Sequence, residues 1–410
     1  MKKWLSAVAI VVLCLALVIG IACGGGGDDE NGNGNGDGDG EVTEIKFGFG
    51  LCFTGAAGAA IGIPARDAWK MTNEEIGVFD VGGKPCRWKL IFEENGFNTP
   101  GGVASATKLI FEHDVDIMWQ FGSDASMAAY PYCHEAEMIL DSSGLSAYML
   151  GPDKPYLFQV AATWDFYFIH FFDWLTREHP EVQRVVCAMT DDLMGHSVAD
   201  PICSISKLHG LECTNIWIPS GTVEYFPIAT KVMTHDPDLI YIVQDAYDEM
   251  WDLGYEGLFL NHMWEETLYG TPDWEKCTDH VYLVGPHLYG PWAEVADFRE
   301  RFSERYGYAS GTWPTYTRQV LLVWTEVLKK AGTADFENDL DKIMETAETE
   351  IFDTPYGLAL FAGEEINGIG HCLMTEDAIN IVGGERDYPL VELITAEENH
   401  ALLLELYGGE

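Results

Sequence analysis

The sequence is poor in positive charge. It contains 23 Lys and Arg residues against 66 Asp and Glu residues, which gives a formal net charge of −43 at pH 7. A surface of this sign repels nucleic acid and anionic lipid head groups, so we expect no nucleic-acid partner. Attachment to a membrane must then come from a lipid. A saline habitat is a second explanation for the acidity.

Motifs of several enzyme classes are also missing. The sequence has no G-x-S-x-G elbow, no H-E-x-x-H pair and no G-x-x-x-x-G-K-[ST] loop. We therefore expect no enzyme activity, no cofactor and no bound metal; a surface-anchored hydrolase is the alternative. The histidines are predicted at helix ends in surface or capping roles, among them His170, His179, His196 and His209.

Ten cysteines occur, but no two have the C-x-x-C spacing, which excludes zinc-ribbon and thioredoxin-like sites. Cys14 and Cys23 lie near the N-terminus. We predict that the others face an oxidising compartment, where disulfides are allowed. The pair Cys203 and Cys213 flanks a helix-to-strand turn and is the one that we nominate, with buried free thiols as the alternative.

The first 41 residues predict export and anchoring. Residues 1–22 combine two lysines with an apolar run, and the sequence up to Cys23 resembles the bacterial lipobox of a lipoprotein signal peptide. A plain signal anchor is the alternative, because about 20 apolar residues can span a bilayer. Residues 23–41 are predicted to be a lipidated cysteine followed by a disordered Gly/Asn/Asp tether. Asp37 and Asp39 match a calcium loop only weakly, so a linker is favoured.

Apolar strands and amphipathic helices alternate after the tether, which predicts parallel strands with crossover helices. At 410 residues the chain is long enough for two lobes. The opening unit is a strand at Ile45–Phe49, a Gly/Ala loop at 51–62 and a helix with Pro64 in its first turn. Such a loop is a candidate ligand site in an open α/β sheet, although close packing alone also explains glycine there.

Other boundaries follow from turn and cap residues. We predict Thr99 as a helix cap, an exit loop at 122–126, and Pro201 as the first residue of a helix capped by Asp200. Helices are predicted at Trp164–Glu178 and Ala293–Tyr306, and strands at Leu258–Leu260 and Val281–Val284. A closing β region is predicted from Tyr356 onward.

Several motifs, in this order, resemble one family. They are Phe53-Thr54-Gly55, Phe121-Gly122-Ser123-Asp124-Ala125-Ser126, Lys154-Pro155-Tyr156-Leu157-Phe158-Gln159-Val160, Asp236-Pro237-Asp238-Leu239-Ile240-Tyr241 and Phe352-Asp353-Thr354-Pro355-Tyr356-Gly357. The chain is similar to solute-binding proteins of the branched-chain amino acid transport class. The resemblance implies an α/β fold with two Rossmann-like lobes, parallel sheets and a three-crossing hinge, the type I periplasmic binding fold. It implies one lobe at 44–163 plus about 288–352, and the other at 164–287 plus about 353–395.

The resemblance also implies a ligand site in the cleft between the lobes. Backbone N–H groups and hydroxyls at Ala125, Ser126, Ser143 and Gly144 would hold a carboxylate, while Leu145 stands where the family often has threonine and Met194 replaces a common hinge tyrosine. An ammonium group would need an acid such as Asp191, Asp245 or Glu265. The aromatic side chains of Phe53, Tyr247 and Trp264 could wall an apolar ligand. Thr54 is the remaining expected ligand residue.

The family's partners follow from the same resemblance. We expect an extracytoplasmic, lipid-anchored protein that delivers a small amino acid, or a related carboxylate or amide, to the membrane permease of an ABC transporter. A tethered sensor that docks a receptor is the alternative.

Overall fold

Strands and helices alternate along the chain, as the apolar pattern predicts. The computed structural model describes residues 42–219, 221–243, 246–262, 273–285 and 289–407. The strands are β1 Thr43–Leu51, β2 Phe79–Val81, β3 Lys84–Glu94, β4 Ile117–Gln120, β5 Leu140–Ser142, β6 Leu157–Phe158, β7 Arg184–Thr190, β8 Glu212–Ile218, β9 Leu239–Ile242, β10 Leu258–His262, β11 Val281–Val284, β12 Ile351–Thr354, β13 Gly357–Ala362, β14 Cys372–Met374, β15 Asp377–Ile381 and β16 Leu390–Ile394.

Helices cover the faces of the sheets. They are α1 Gly55–Ala57, α2 Ile63–Ile76, α3 Thr99–Phe111, α4 Ser123–Glu135, α5 Trp164–Glu178, α6 Leu193–Leu208, α7 Phe226–Met233, α8 Tyr247–Asp252, α9 Trp274–Cys277, α10 Ala293–Tyr306, α11 Thr312–Ala331, α12 Leu340–Thr349, α13 Glu364–Asn367 and α14 Ala396–Tyr407, with a π-helical turn at Gly58–Gly62 and a 3₁₀ turn at Ala147–Met149. In the part of the chain that the structure describes, every helix is too short or too polar to cross a membrane.

Two mostly parallel sheets define two α/β lobes, which confirms the predicted fold class. The first sheet has the order β2-β3-β1-β4-β5-β6, with β2 and β3 antiparallel. The second has the order β16-β15-β11-β10-β9-β7-β8, with β15 and β16 antiparallel to their neighbours. Because ligands bind at the carboxyl ends of parallel strands, this topology places a site where β1, β4, β7 and β9 end.

The chain crosses between the lobes three times. The chain passes to the second lobe between β6 and α5, returns between β11 and α10, and crosses again through the small antiparallel sheet of β12, β13 and β14. The first and third crossings are hydrogen bonded, because Gln159 N donates to His371 O at 2.8 Å and Leu373 N donates to Gln159 O at 2.9 Å.

The segment after β1 is helical from Gly55 onward, so the predicted loop at 51–62 is wrong for most of its length. Its glycines serve close packing instead. A Cβ atom at Gly58 would lie 2.4 Å from the carbonyl carbon of Phe53, and one at Gly62 would lie 1.6 Å from the carbonyl oxygen of Cys52. Only glycine lets this turn pack against the end of β1.

Two predicted caps are displaced. Asn98, not Thr99, caps α3 by accepting a hydrogen bond from Gly101 N. Asp192, not Asp200, caps α6 by accepting a hydrogen bond from Gly195 N. The helix therefore begins before Pro201, which lies in its interior.

Two other predicted segments also differ from the structure. The predicted exit loop at 122–126 is largely the first turn of α4. The region after Tyr356 is not all β, because it ends in helix α14, whose Ala396 and Leu403 are buried.

Helix α11 fixes one face of the first sheet. Trp324 Nε1 donates to Asp141 Oδ2 at 3.0 Å, and Trp88 Nε1 donates to Thr325 Oγ1 at 2.8 Å. The other oxygen of Asp141 accepts from Val160 N at 3.1 Å. These buried bonds hold the end of β5 in place, and β5 leads directly to Ser143.

The predicted disulfide between Cys203 and Cys213 is confirmed, with a Cα–Cα distance of 5.2 Å. It joins α6 to β8. Six other cysteines in the described ranges are buried free thiols: Cys52, Cys86, Cys133, Cys187, Cys277 and Cys372.

His170 does not lie at a helix end, contrary to prediction. It is buried in the middle of α5, with Nδ1 2.8 Å from Asp377 Oδ2 and Nε2 3.5 Å from Glu392 Oε2. Burial opposes protonation, but the hydrogen bonds of these two carboxylates outweigh it and raise the pKa of His170 to about 9. The helix α5 is thus tied to β15 and β16 by a buried ion pair.

This ion pair predicts a pH dependence of stability. The pKa of His170 in the folded protein lies above the ordinary value of 6.5. The protonated imidazole therefore adds roughly 3 kcal/mol to the free energy of unfolding below about pH 6.5, and this contribution is lost as the pH rises through about 9. We expect the difference in unfolding free energy between wild type and His170→Gln to shrink over this interval in urea titrations. His235→Gln is the control, because His235 is exposed. A difference that is constant with pH would contradict the ion pair.

Candidate functional site

A cavity of about 530 Å³ lies between the carboxyl ends of the two sheets. The first lobe and α11 contribute Ala57, Ile61, Phe97, Phe121, Gly122, Ser123, Asp124, Ala125, Ser143 and Trp313. The second lobe contributes Trp164, Met189, Thr190, Asp192, Met194, Tyr241, Ile242, Val243, Asn261 and His262. The volume is in the range of small-molecule sites, about 300–1,000 Å³.

The N-terminus of α4 forms the polar part of the first-lobe wall. Gly122 precedes the helix with φ 87°, and no side chain caps the first turn. The first N–H groups of a helix have no partner within the helix, so those of Ser123, Asp124 and Ala125 are suited to an anion. Gly122 N donates to Ser143 Oγ at 3.0 Å. The Ser143 hydroxyl therefore keeps its own proton as a further donor.

Aromatic rings form the apolar part of the same wall. Phe97 and Phe121 stack with centroids 4.8 Å apart, and Trp313 meets Phe121 edge-on at 4.9 Å. Phe97 is 51% exposed although it is aromatic. Its φ of 52° places it in the left-handed region, where Phe97 N donates to Asn95 Oδ1 at 3.0 Å. The strained turn holds this ring over the cavity.

The second-lobe wall ends in neutral polar groups. Tyr241 Oη is hydrogen bonded to His262 Nδ1, and Asn261 Nδ2 donates to Tyr247 Oη at 2.9 Å. The Trp164 ring meets His262 edge-on at 4.6 Å. Desolvation lowers the pKa of His262 to about 3, so its imidazole is uncharged at neutral pH.

The charges at the cavity are carboxylates. Among the lining residues that the structure describes there is no Lys or Arg, and the acids are Asp124 and Asp192. Asp192 Oδ1 accepts from Gly195 N at 2.8 Å as the cap of α6. An anionic ligand would therefore be held by helix N–H groups and hydroxyls, not by a side-chain cation.

Three of the predicted ligand residues line the cavity, namely Ala125, Ser143 and Met194. Two others lie behind the wall. Ser126 is fully buried and its Oγ donates to Gln120 O at 3.2 Å, while Gly144 N donates to Ser142 Oγ at 3.0 Å. They support the turn that presents Ser143.

Other predicted residues lie away from the cavity. Leu145 packs in the core with φ 48°, and Asp191 pairs with His196 at 2.9 Å. Phe53 is half-buried and Thr54 is exposed. Tyr247 is buried in the second lobe, where its hydroxyl accepts from Asn261.

Four predicted functional residues lie outside the described ranges: Cys23, Asp245, Trp264 and Glu265. The same holds for the predicted signal peptide at 1–22 and for the tether at 23–41. Their roles stay predictions.

Asn261 and His262 were not predicted as site residues, because the strand before them was predicted to end at Leu260, whereas β10 continues to His262. Both are at the carboxyl end of a parallel strand, which is the position that a ligand site requires. Phe97 and Trp313 were not predicted either, and both are far from Ser143 in sequence. No local pattern distinguishes such residues from ordinary core aromatics.

The chain resembles known proteins over most of its length. A family model described as a periplasmic binding protein matches residues 44–374. No curated protein sequence matches the chain.

In the described residues, no group of three or more His, Cys, Asp or Glu is placed to hold a metal ion.

Several solved structures share the fold. A solute-binding protein of an ABC transporter from Rhodopseudomonas palustris BisB5, in complex with 3,4-dihydroxybenzoic acid, is 17% identical with a TM-score of 0.71, covering 86% of this chain and 98% of that chain. A leucine-binding protein from Thermotoga maritima is 16% identical with a TM-score of 0.69, over 87% and 100%. A solute-binding protein from R. palustris in complex with benzoate is 14% identical with a TM-score of 0.68, over 86% and 96%. At these identities the likeness shows the fold alone.

Proposed function

Because the chain belongs to the periplasmic binding protein family, we propose that it is the extracytoplasmic, lipid-anchored solute-binding component of an ABC importer. Its ligand is a small amino acid or a related carboxylate or amide, bound in the cavity between the lobes without chemical conversion. The observation that carries this proposal is the uncapped N-terminus of α4, which faces an aromatic cavity beside Ser143.

Helix N–H groups give this cavity a way to bind a carboxylate reversibly. They carry partial positive charge and are already oriented, so no flexible side chain has to be ordered on binding. The Ser143 hydroxyl adds one donor beside them. The aromatic walls bury the rest of a small ligand, whose release then needs no ion pair with a side-chain cation to be broken.

Proteins of the same fold lend support to a carboxylate ligand. The structures described above include complexes with 3,4-dihydroxybenzoic acid and benzoate, and one protein is named for leucine binding. All three compounds are small carboxylates with an apolar part. Each combines a carboxylate, which the N-terminus of α4 would bind, with an apolar part, which the aromatic walls would cover.

The proposed partner is a membrane permease, and the proposed anchor is a diacylglycerol group on Cys23. A tether of this length spans roughly 20–25 Å as a flexible coil, which allows the protein to meet its permease while attached. Intact-mass measurement of the mature chain tests the anchor directly. A mature protein that begins elsewhere than at Cys23 would contradict it.

A thermal-shift screen tests the binding function. A ligand that binds only the folded state stabilises it by about 2.7 kcal/mol at a concentration one hundred times its Kd. We expect one class of small carboxylate or amide to raise the melting temperature by several degrees and other classes to leave it unchanged. No shift with any amino acid, amide or aromatic acid would contradict the proposal, as would steady turnover of an ester or amide.

A further inference from the structure

We propose that the ligand is an aromatic monocarboxylate with a hydroxyl group on its ring. Its carboxylate would lie at the N-terminus of α4 and its ring hydroxyl at Asn261 and His262. This inference rests on the proposed function of the cavity as a solute site, and it selects one ligand class among those that the proposed function allows.

The middle of the cavity suits a flat ring. Phe97, Phe121 and Trp313 line it from one side, and Trp164 and Tyr241 line it from the other. An aromatic ligand can stack on or meet these rings edge-on, which adds to the burial of apolar area. A branched aliphatic chain would gain the burial but not the ring contacts.

The second-lobe end calls for an uncharged hydrogen-bonding group. The pair of Tyr241 and His262 is neutral, and Asn261 is an amide held by Tyr247. A neutral imidazole and an amide can donate to or accept from a phenolic hydroxyl. A second carboxylate at this end would lose its water without gaining a cation.

The described acids near this end already have partners within the protein. Among the described residues, the carboxylate of the second-lobe wall is that of Asp192, and it accepts the Gly195 N–H at 2.8 Å as a helix cap. Asp191, expected from sequence to meet an ammonium group, pairs with His196 at the surface instead. Among the described residues of this wall, an ammonium group therefore meets no carboxylate that lacks another partner.

Titration calorimetry with three probes tests the inference: 4-hydroxybenzoate, benzoate and leucine. We expect wild type to bind 4-hydroxybenzoate about ten times more tightly than benzoate, the effect of one net hydrogen bond in a buried site. In His262→Phe, which keeps a ring against Trp164, this ratio should fall severalfold, because the ring hydroxyl loses one of its two proposed partners.

Two further variants keep the test decisive. Tyr241→Phe removes the hydroxyl that holds His262 and should lower the ratio if His262→Phe does not fold. Phe97→Leu, on the opposite wall, should weaken both benzoates equally and leave the ratio near ten.

The outcomes separate this inference from the proposed function. Equal binding of the two benzoates to wild type, or binding of leucine alone, overturns the inference and leaves the solute-binding function intact. A ratio that is unchanged in both His262→Phe and Tyr241→Phe also overturns it. If no small carboxylate or amide binds at all, the proposed function fails with it.

Discussion

Ser143→Asp is expected to weaken the binding of a carboxylate ligand more than a hundredfold. The Ser143 hydroxyl lies 3.0 Å from Gly122 N, at the entrance to the first turn of α4. An aspartate there would place a negative charge beside the ligand carboxylate. Two like charges about 4 Å apart cost roughly 4 kcal/mol at an effective dielectric constant near 20, which corresponds to more than a hundredfold in Kd.

Ser143→Asn is the matched control, since asparagine has nearly the same shape as aspartate but no charge. We expect it to weaken binding about tenfold or less, through altered hydrogen bonding alone. Calorimetry should use the carboxylate that gives the largest thermal shift with wild type. Equal affinities of the two variants would show that no carboxylate lies at this turn.

Gly62→Ala is expected to lower the free energy of unfolding by about 3 kcal/mol. The new Cβ would lie 1.6 Å from the carbonyl oxygen of Cys52, so the helical segment must move away from the end of β1. Helix propensity predicts the opposite sign, because alanine in a helix is favoured over glycine by about 1 kcal/mol. Urea unfolding therefore decides between the two effects.

Gly384→Ala is the control for this substitution. Its added Cβ would meet only Thr278 Cγ2, at 3.8 Å, which is ordinary contact. We expect a change within about 0.5 kcal/mol. A Gly62→Ala protein as stable as wild type would contradict the close approach of this turn to β1.

Elements with strong periodicity and clear boundaries could be predicted from the sequence. Helices at Trp164–Glu178 and Ala293–Tyr306 and the strand at Val281–Val284 have their predicted bounds. The first helix is followed by His179-Pro180 and the second by Gly307 in the left-handed conformation, both of which stop a helix.

Segments rich in glycine and alanine were predicted less well. The run from Gly55 to Gly62 has the composition of a loop, and its helical structure depends on contact with Phe53 and Cys52, which composition does not reveal. Pro201 is typical of a helix start, but the cap at Asp192 begins α6 well before it. Tertiary contacts overrode local preference in both places.

The candidate site was predictable at its turns but not in its side chains. The turns at Ala125 and Ser143 reach the cavity, because both follow parallel strands. Whether a serine next to such a turn points outward depends on helix phase, and Ser126 points to Gln120 O within the protein. Phe97 follows β3 and Trp313 lies in α11, and the two residues meet at the cavity only in the folded protein.

A crystal structure of the protein with its bound carboxylate tests the central claim most directly. We expect the carboxylate oxygens about 2.7–3.2 Å from backbone nitrogens in the first turn of α4, with Ser143 Oγ as a further donor. A ligand whose carboxylate pairs with a lysine or arginine, or that lies outside the cavity between the lobes, would contradict the account.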